Sequence, residues 1–540
     1  MLSKAIFTCT VTLMFFSLLL TAQPGKEIAP PNTSDAQKWW NLLHYSIAVT
    51  PDYNKQFITG TNQIEFSAIE EGKTLRIDLA HPMVITFIRS KGIPVSFKKE
   101  NVDFYLIHFS EVIKKGQSIL LEIGFEGKPG TAKDAPNDNG WIWASDKKGR
   151  PWMTIACQGS GPGIWLPCKD VLYDEPEKGV VISITVPDTL KAIANGRLQH
   201  MLNNKNGTTT WTWKVSSPIN HYNIIPYIGK YVTWNKHYQG LNGRLDCDFW
   251  VLDYHLDRGK EHFKQTDTLL KAFEHWLGPY PFYKDGYKVV ETPYPGMEHQ
   301  SAIAYGNGFQ NGFKGKDLFG TGWGLKWDFI LVHESGHEWF GNSITSSNHS
   351  DTWIHEGFTK YLETIYTDFV FGTAAGNNYA TGTWKRIKND KPILGTGTTD
   401  QYYKASAMLH MIRQILGDSM FRGWLRQLGR ECYHQTVTTA RILHSLNSFS
   451  KKDFTKVFDQ YLTTTRVPVL EYYRKDTVLR YRWTDCVDHF DMAVKVSIGQ
   501  PGKTGFIYPA TEWQEMAVGQ DTGALVIDSN FYVRSREMDQ

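Results

Sequence analysis

The stretch Phe329-Ile330-Leu331-Val332-His333-Glu334-Ser335-Gly336-His337 decides how the chain is read. An apolar run leads into two histidines four residues apart, with a carboxylate beside the first. The pattern predicts a helix over 325–343. On a helix, positions i and i+4 share a face, so both imidazoles can reach one point. A second helix is predicted over 354–370, with Glu356 near its start in Trp353-Ile354-His355-Glu356-Gly357-Phe358. Eighteen residues separate Glu356 from His337. That is enough for the first helix to end, turn and send the second back beside it.

Two imidazoles and a carboxylate form the donor set of a catalytic zinc, which takes three protein ligands and keeps a fourth position open. The reading is one Zn2+ per chain on His333, His337 and Glu356. Zinc lowers the pKa of its water toward about 7. Glu334, next to the first ligand, can face that water as general base. His355 diverges from Glu356 by about 100° on a helix and reads as structural. His299 and His349 read as ordinary core or surface residues. Glu338 and Glu363 are candidates for orienting the ligands.

Outward from this centre the texture changes on both sides. Residues 40–235 alternate as strands, for example Leu75/Ile77/Leu79, Leu121/Ile123/Phe125 and Ile182/Ile184/Val186. Turn clusters such as Asn206-Gly207 separate them. Residues 236–466 are mainly helical, with further helices predicted over 402–416, 420–428, 438–448 and 453–462. Strands return in 467–540 after Val467-Pro468. The Gly-rich stretch 306–324 lacks a phosphate-loop ending and reads as a loop bordering a cleft. The fold class expected is a multidomain α+β chain. Its N-terminal domain is antiparallel β, its catalytic domain mainly helical, and its C-terminal domain small and β.

Composition bounds the rest. The chain has 540 residues, 41% hydrophobic and 21% charged, which excludes wholesale disorder. A net charge of +3 is too balanced to point to nucleic acid as a partner. Lys4 precedes the apolar run Ala5–Leu20, then Thr21-Ala22 and polar residues. This reads as a signal peptide over 1–22, with a segment 23–39 before the first domain. The expectation is an exported protein, periplasmic or secreted, with no membrane association after cleavage. Cleavage removes Cys9 and leaves five cysteines at irregular spacings, which excludes a disulfide scaffold and a cysteine zinc site. Oligomeric state is not written in the sequence.

The pattern H-E-x-x-H, eighteen residues, then E resembles the gluzincin aminopeptidases, the family of aminopeptidase N and leukotriene hydrolase. His337-Glu338-Trp339-Phe340-Gly341-Asn342 and Glu356-Gly357-Phe358 are similar to its continuation and third-ligand segments. The resemblance implies a thermolysin-like catalytic domain. Pro295-Gly296-Met297-Glu298-His299 is similar to the family's G-x-M-E-N motif, with His299 in place of Asn. This implies that Glu298 binds the substrate's α-ammonium and that the backbone at Gly296 holds the peptide. Tyr402-Tyr403-Lys404-Ala405 resembles Y-x-K-G, with Ala405 in place of Gly. The transition-state phenol is then Tyr402, with Tyr403 as the competing candidate. Cys157-Gln158-Gly159 and Leu166-Pro167-Cys168-Lys169-Asp170 resemble the leukotriene-hydrolase branch, which implies that Gln158 also binds the substrate's amino end. The likeness covers roughly 40–465 and weakens beyond 467.

The function implied is hydrolysis of N-terminal residues from peptides that have a free N-terminus. The side-chain pocket would draw on scattered positions such as Tyr294 and Met297. Three rivals share the sequence features: a zinc endopeptidase, an epoxide-hydrolase-like enzyme and a catalytically dead peptide-binding relative.

Overall fold

The structure is a computed structural model that describes residues 33–498, 504–518 and 523–539. The N-terminal segment read as a signal peptide lies outside the described residues. No helix among the described residues is long and apolar enough to cross a membrane.

The first domain is built from three sheets of eight, four and three strands. The eight-stranded sheet centres on Trp40–Asp52, which pairs antiparallel with Phe57–Ala68 and parallel with Val180–Pro187. That parallel contact is a single exception in an otherwise antiparallel sheet. The four-stranded sheet matters for the cleft. Its strand Pro151–Ala156 runs directly into Cys157 and Gln158.

The catalytic domain opens with a five-stranded mixed sheet. Its strands are β1 (Tyr231–Gly240), β2 (Gly243–Leu252), β3 (Tyr287–Glu291), β4 (Gly296–Met297) and β5 (Ile303–Tyr305), in the order β1-β2-β3-β5-β4. The sheet thus begins at Tyr231, a few residues before the 235/236 division drawn from sequence. Successive side chains on a strand face opposite ways, and both faces are used. Cys247, Phe249, Val251, Val289, Ile303 and Tyr305 join the core of the helices. Trp250, Leu252, Val290, Ala302 and Ala304 join the core of the first domain. One sheet therefore joins the two domains through apolar packing, and its last strand, β4, forms the edge.

Four helices frame the site: α1 (Thr266–Leu277), α2 (Phe329–Gly336), α3 (Trp353–Phe371) and α4 (Asp400–Leu416). Helix α2 is shorter than the 325–343 expected. Asp328 caps its start, accepting the Leu331 N–H at 2.9 Å. At its other end, Asn342, Ser343 and Ile344 donate N–H groups back to the carbonyls of His337, Glu338 and Trp339, and Gly341 takes φ +124°. The chain therefore leaves the helical path just after the second histidine. Helices α3 and α4 cross very closely. A methyl group built on Gly357 would lie 2.6 Å from Ala405 Cβ. That contact brings the first turn of α4, which holds Tyr402, toward Glu356.

The C-terminal residues form a four-stranded and a three-stranded sheet. Their apolar side chains belong to the same core as the helices. Asn530 hydrogen-bonds His410 at 3.0 Å on α4, and Tyr461 donates to the Tyr532 carbonyl at 2.9 Å. The whole is a multidomain α+β chain with β-rich ends and a helical catalytic domain between them.

Candidate active site

Three donor atoms converge between α2 and α3. His333 Nε2 and His337 Nε2 are 3.3 Å apart, and Glu356 Oε2 lies 3.8 Å from the first and 3.5 Å from the second. A tetrahedral ion with ligands at about 2.0–2.1 Å has ligand–ligand edges of roughly 3.4 Å. The triangle therefore has the size zinc requires. The far side of each ring is already committed. His333 Nδ1 donates to Glu363 Oε1 at 2.8 Å, and His337 Nδ1 donates to the Phe340 carbonyl at 3.0 Å. Those bonds fix the tautomers and turn both Nε2 lone pairs toward the shared point.

Electrostatics favour a cation there. Glu356 Oε2 is buried with no hydrogen-bond partner. Burial pushes the Glu334 carboxyl up to about 8, with His333 opposing and Glu298 and Glu356 adding to the rise. Burial holds His337 down at about 3, so it stays neutral and able to ligate. An enclosed pocket with this much anionic character is completed by a dication. His333, His337 and Glu356 fit zinc, which when bound supplies Lewis-acid polarisation and an acidified water.

Glu334 is buried on α2 and faces β4. Its Oε1 would be 2.9 Å from a methyl group on Gly296. The same methyl would clash with Ile330 at 2.5 Å, so only glycine lets β4 approach the helix this closely. Carboxylate atoms of Glu298 and Glu334 and a ring nitrogen of His337 all lie within 4.8 Å of one another. Glu298 is thus next to the metal site, at the end of edge strand β4.

Glu298 is held from the first domain. Gln158 Nε2 donates to its Oε1 at 2.6 Å and the Tyr222 hydroxyl donates to the same atom at 2.9 Å. Among the described residues no side chain donates to Oε2. Asn342 supports the main chain, donating to the Glu298 carbonyl at 2.8 Å. It accepts in turn from Asn223 at 2.5 Å. Burial and the Glu356 charge push the Glu298 carboxyl up to about 7.

The two tyrosines of α4 part company. The Tyr402 ring stacks near His333 at a centroid distance of 6.3 Å, and its hydroxyl is near Glu356. Tyr403 instead packs edge-on against Phe319, and Lys360 lies 5.4 Å from its ring centroid. Only Tyr402 reaches the cleft. His299 is buried, its Nδ1 bonded to the Tyr227 hydroxyl at 2.6 Å. His355 accepts the Ser346 N–H at 2.7 Å. Both are structural. Glu338 touches neither histidine. It accepts the Ser301 N–H at 2.8 Å and the Tyr280 hydroxyl at 2.9 Å, and so steadies the loop after Glu298. Tyr294 and Met297 face the first domain's core.

Tyr222 is the site residue that sequence reading misses. It lies in Asn220-His221-Tyr222-Asn223, which carries no local motif. Glu363 takes more load than a plain helical acid suggests. Besides His333 it accepts Lys360 Nζ and the Tyr379 hydroxyl, each at 2.5 Å.

Residues 325–461 match the peptidase family M1 domain. Leukotriene A-4 hydrolase of Xenopus laevis is 20% identical over 466 residues, covering 78% of this chain and 71% of that protein. Leucine aminopeptidase 2 of Vanderwaltozyma polyspora is 24% identical over 280 residues, covering 50% of this chain but only 38% of its own length. Among solved structures, an M1 zinc metallopeptidase of Deinococcus radiodurans bound to Tyr-Ser-Ala superposes with a TM-score of 0.67. It is 18% identical, and the match covers 79% of this chain and 95% of that one. The assembled triad lies within the segment that matches the peptidase family M1 domain, and the chain shares the fold of M1 zinc metallopeptidases, which supports the gluzincin aminopeptidase family.

Proposed function

We propose that this chain is an exported aminopeptidase that removes N-terminal residues from peptides, with Glu334 as its general base. The observation that carries the reading is the placement of Glu298. It is a buried carboxylate just after edge strand β4, its Oε1 held by two neutral donors, within 4.8 Å of a donor atom of Glu334 and one of His337. A free α-ammonium is the group such an anchor takes, through a charge-assisted hydrogen bond. An internal peptide bond offers no counterpart. The anchor therefore sets the scissile bond one residue from the chain end.

Residue roles follow from the positions. Edge strand β4 presents main chain to the peptide beside the anchor. Glu334 takes a proton from the attacking water and returns it to the leaving amine. The Tyr402 phenol donates to the oxyanion as it develops. Burial, with the charges of Glu356 and Glu298, raises its pKa well above the ordinary value, so the phenol stays protonated and able to donate. His333, His337 and Glu356 would hold zinc, which when bound would polarise the scissile carbonyl as a Lewis acid. Export is supported by the charged start, apolar run and small residues before Gln23.

The test is a panel of aminoacyl arylamides, free and N-acetylated, with chelator and with zinc restored. The expected outcome is turnover of free substrates alone, lost on chelation and recovered with zinc. Equal cleavage of the acetylated forms would establish an endopeptidase instead. A mature N-terminus at Gln23 on the externally recovered chain is the expected mark of export.

A further inference from the structure

Apart from the cleft, a cavity of about 360 Å³ lies between the end of α1, the helix Asp418–Glu431 and the turn that follows α2. That volume falls within the roughly 300–1,000 Å³ of small-molecule pockets. None of the residues assigned to the metal or to the anchor lines it. Leu277, Pro279, Trp339 and Ile344 give it an apolar wall, and Arg426 and Arg430 give it charge. No aspartate or glutamate is among its lining residues.

The two arginines belong to a row. Arg422, Arg426 and Arg430 recur four residues apart, so they share one ridge of their helix. Like charges at that spacing weaken a helix unless something offsets them. Arg422 donates to His275 Nε2 at 2.6 Å. Arg426 donates to the His275 carbonyl at 2.7 and 3.0 Å, at the end of α1, where the helix dipole favours a cation. Arg430 is exposed and, among the described residues, has no hydrogen bond or ion pair.

The acid that borders the cavity is already saturated. The Glu274 carboxylate accepts the N–H groups of Leu241 and Tyr280, both of which line the cavity, and the hydroxyls of Tyr238 and Tyr283. Those four bonds fill the acceptor positions of a carboxylate. One more donor of the lining is unspent, because the Trp339 indole N–H is buried with no hydrogen-bond partner. The fold thus sets cationic charge beside an apolar wall and supplies no anion of its own.

We propose that this cavity binds a small organic carboxylate with an apolar body, its carboxylate on Arg430 and its body along Leu277, Trp339 and Ile344. A guanidinium pairs with a carboxylate through charge-assisted hydrogen bonds. Removal of the body from water against those side chains adds the hydrophobic driving force. A bare inorganic anion would leave the apolar wall unused, and a neutral hydrocarbon would leave Arg430 unpaired. The proposal does not depend on the aminopeptidase reading. The occupant would nevertheless rest on the turn that ends the metal helix, since Trp339 and Ile344 are bonded to each other there, Ile344 N–H to Trp339 carbonyl at 3.1 Å.

The test is equilibrium dialysis of the zinc-loaded protein against 6-phenylhexanoate and against its neutral amide, in the wild type and in Arg430→Glu. The wild type should bind one carboxylate per chain, about 10- to 100-fold more tightly than the amide, the scale of one hydrogen bond to a charged group. Arg430→Glu reverses the charge at an exposed position. It should weaken the carboxylate by at least that factor and leave the amide and the zinc content unchanged. Equal binding of carboxylate and amide by the wild type overturns the proposal, and this comparison needs no variant. Absence of saturable binding overturns it too. So does a carboxylate affinity that Arg430→Glu leaves unaltered, which would put the probe on the zinc instead.

Discussion

The two walls of the cleft are built on different plans. The metal wall is helical and charged. Its ligands come from α2 and α3, whose backbone hydrogen bonds hold them, and its second layer is the Glu363–Lys360–Tyr379 cluster. The anchor wall is a single carboxylate at a sheet edge, fixed by two neutral donors, Gln158 and Tyr222, that cross from another domain. On the proposed function the difference separates two tasks: one wall would make a peptide bond labile, and the other would decide which bond is offered. Changes in the metal wall should therefore cut turnover for every substrate, and changes in the anchor wall should act through the free amino end.

The sharpest break comes at Glu334, which belongs to the metal wall by sequence but faces β4 of the anchor wall. Glu334→Gln should lose about 10²–10⁴-fold in kcat, the range of general acid–base catalysis. Zinc content should stay at one per chain by elemental analysis, since the ligands are untouched. Normal turnover in a zinc-loaded Glu334→Gln protein would remove it as the base.

The same contrast explains what could be read from sequence. The metal wall was legible because its geometry is local. The i, i+4 spacing survives even though α2 ends at Gly336, as the His337 N–H still reaches the His333 carbonyl at 3.4 Å. Glu356 was legible because α3 starts at Trp353, close to the start assigned from pattern. Glu298 and Gln158 were reached only through resemblance. Nothing in the local periodicity of residues 157–158 or 295–299 says that the two side chains meet across 140 positions of chain. Tyr222 was invisible for the same reason, amplified by a 3₁₀ turn of three residues that has no pattern to detect. The division between Tyr402 and Tyr403 also needed three dimensions. It depends on the close crossing at Gly357 and Ala405, which rotates one phenol inward and the other onto Phe319. The strand-rich ends were visible as alternation, but the merging of the C-terminal sheets with the helical core was not, because docking faces leave no period of their own.

A second prediction probes the outer layer of the metal wall. Glu363→Gln should weaken zinc affinity about 10- to 100-fold, as removal of a carboxylate behind a ligating histidine does. The readout is metal competition against a chelating dye, independent of turnover. The variant also leaves Lys360 buried without its carboxylate partner, so fold loss must be separated from ligand disorder. Lys360→Met provides that control. It removes the cation while leaving Glu363 on His333, and the ring of Phe319, 3.9 Å from the ammonium, offers apolar contact to the new side chain. Its zinc affinity should remain near that of the wild type. Equal weakening in both variants would mean that the cluster acts through general stability.

The smallest effect tests the anchor wall by itself. Tyr222→Phe deletes one of two donors to Glu298 Oε1 and leaves the ring packing in place. One hydrogen bond to a charged acceptor is worth about 1.5–3 kcal/mol, or roughly 10- to 100-fold in an equilibrium constant. The remaining Gln158 contact at 2.6 Å should bring the loss toward the lower end. It should appear in KM for substrates with a free amino group, with zinc content unchanged. An equal fall in kcat for all substrates and no change in KM would tie Tyr222 to the chemistry of the metal wall, and the separation of the two walls would fail at the residue that joins the domains.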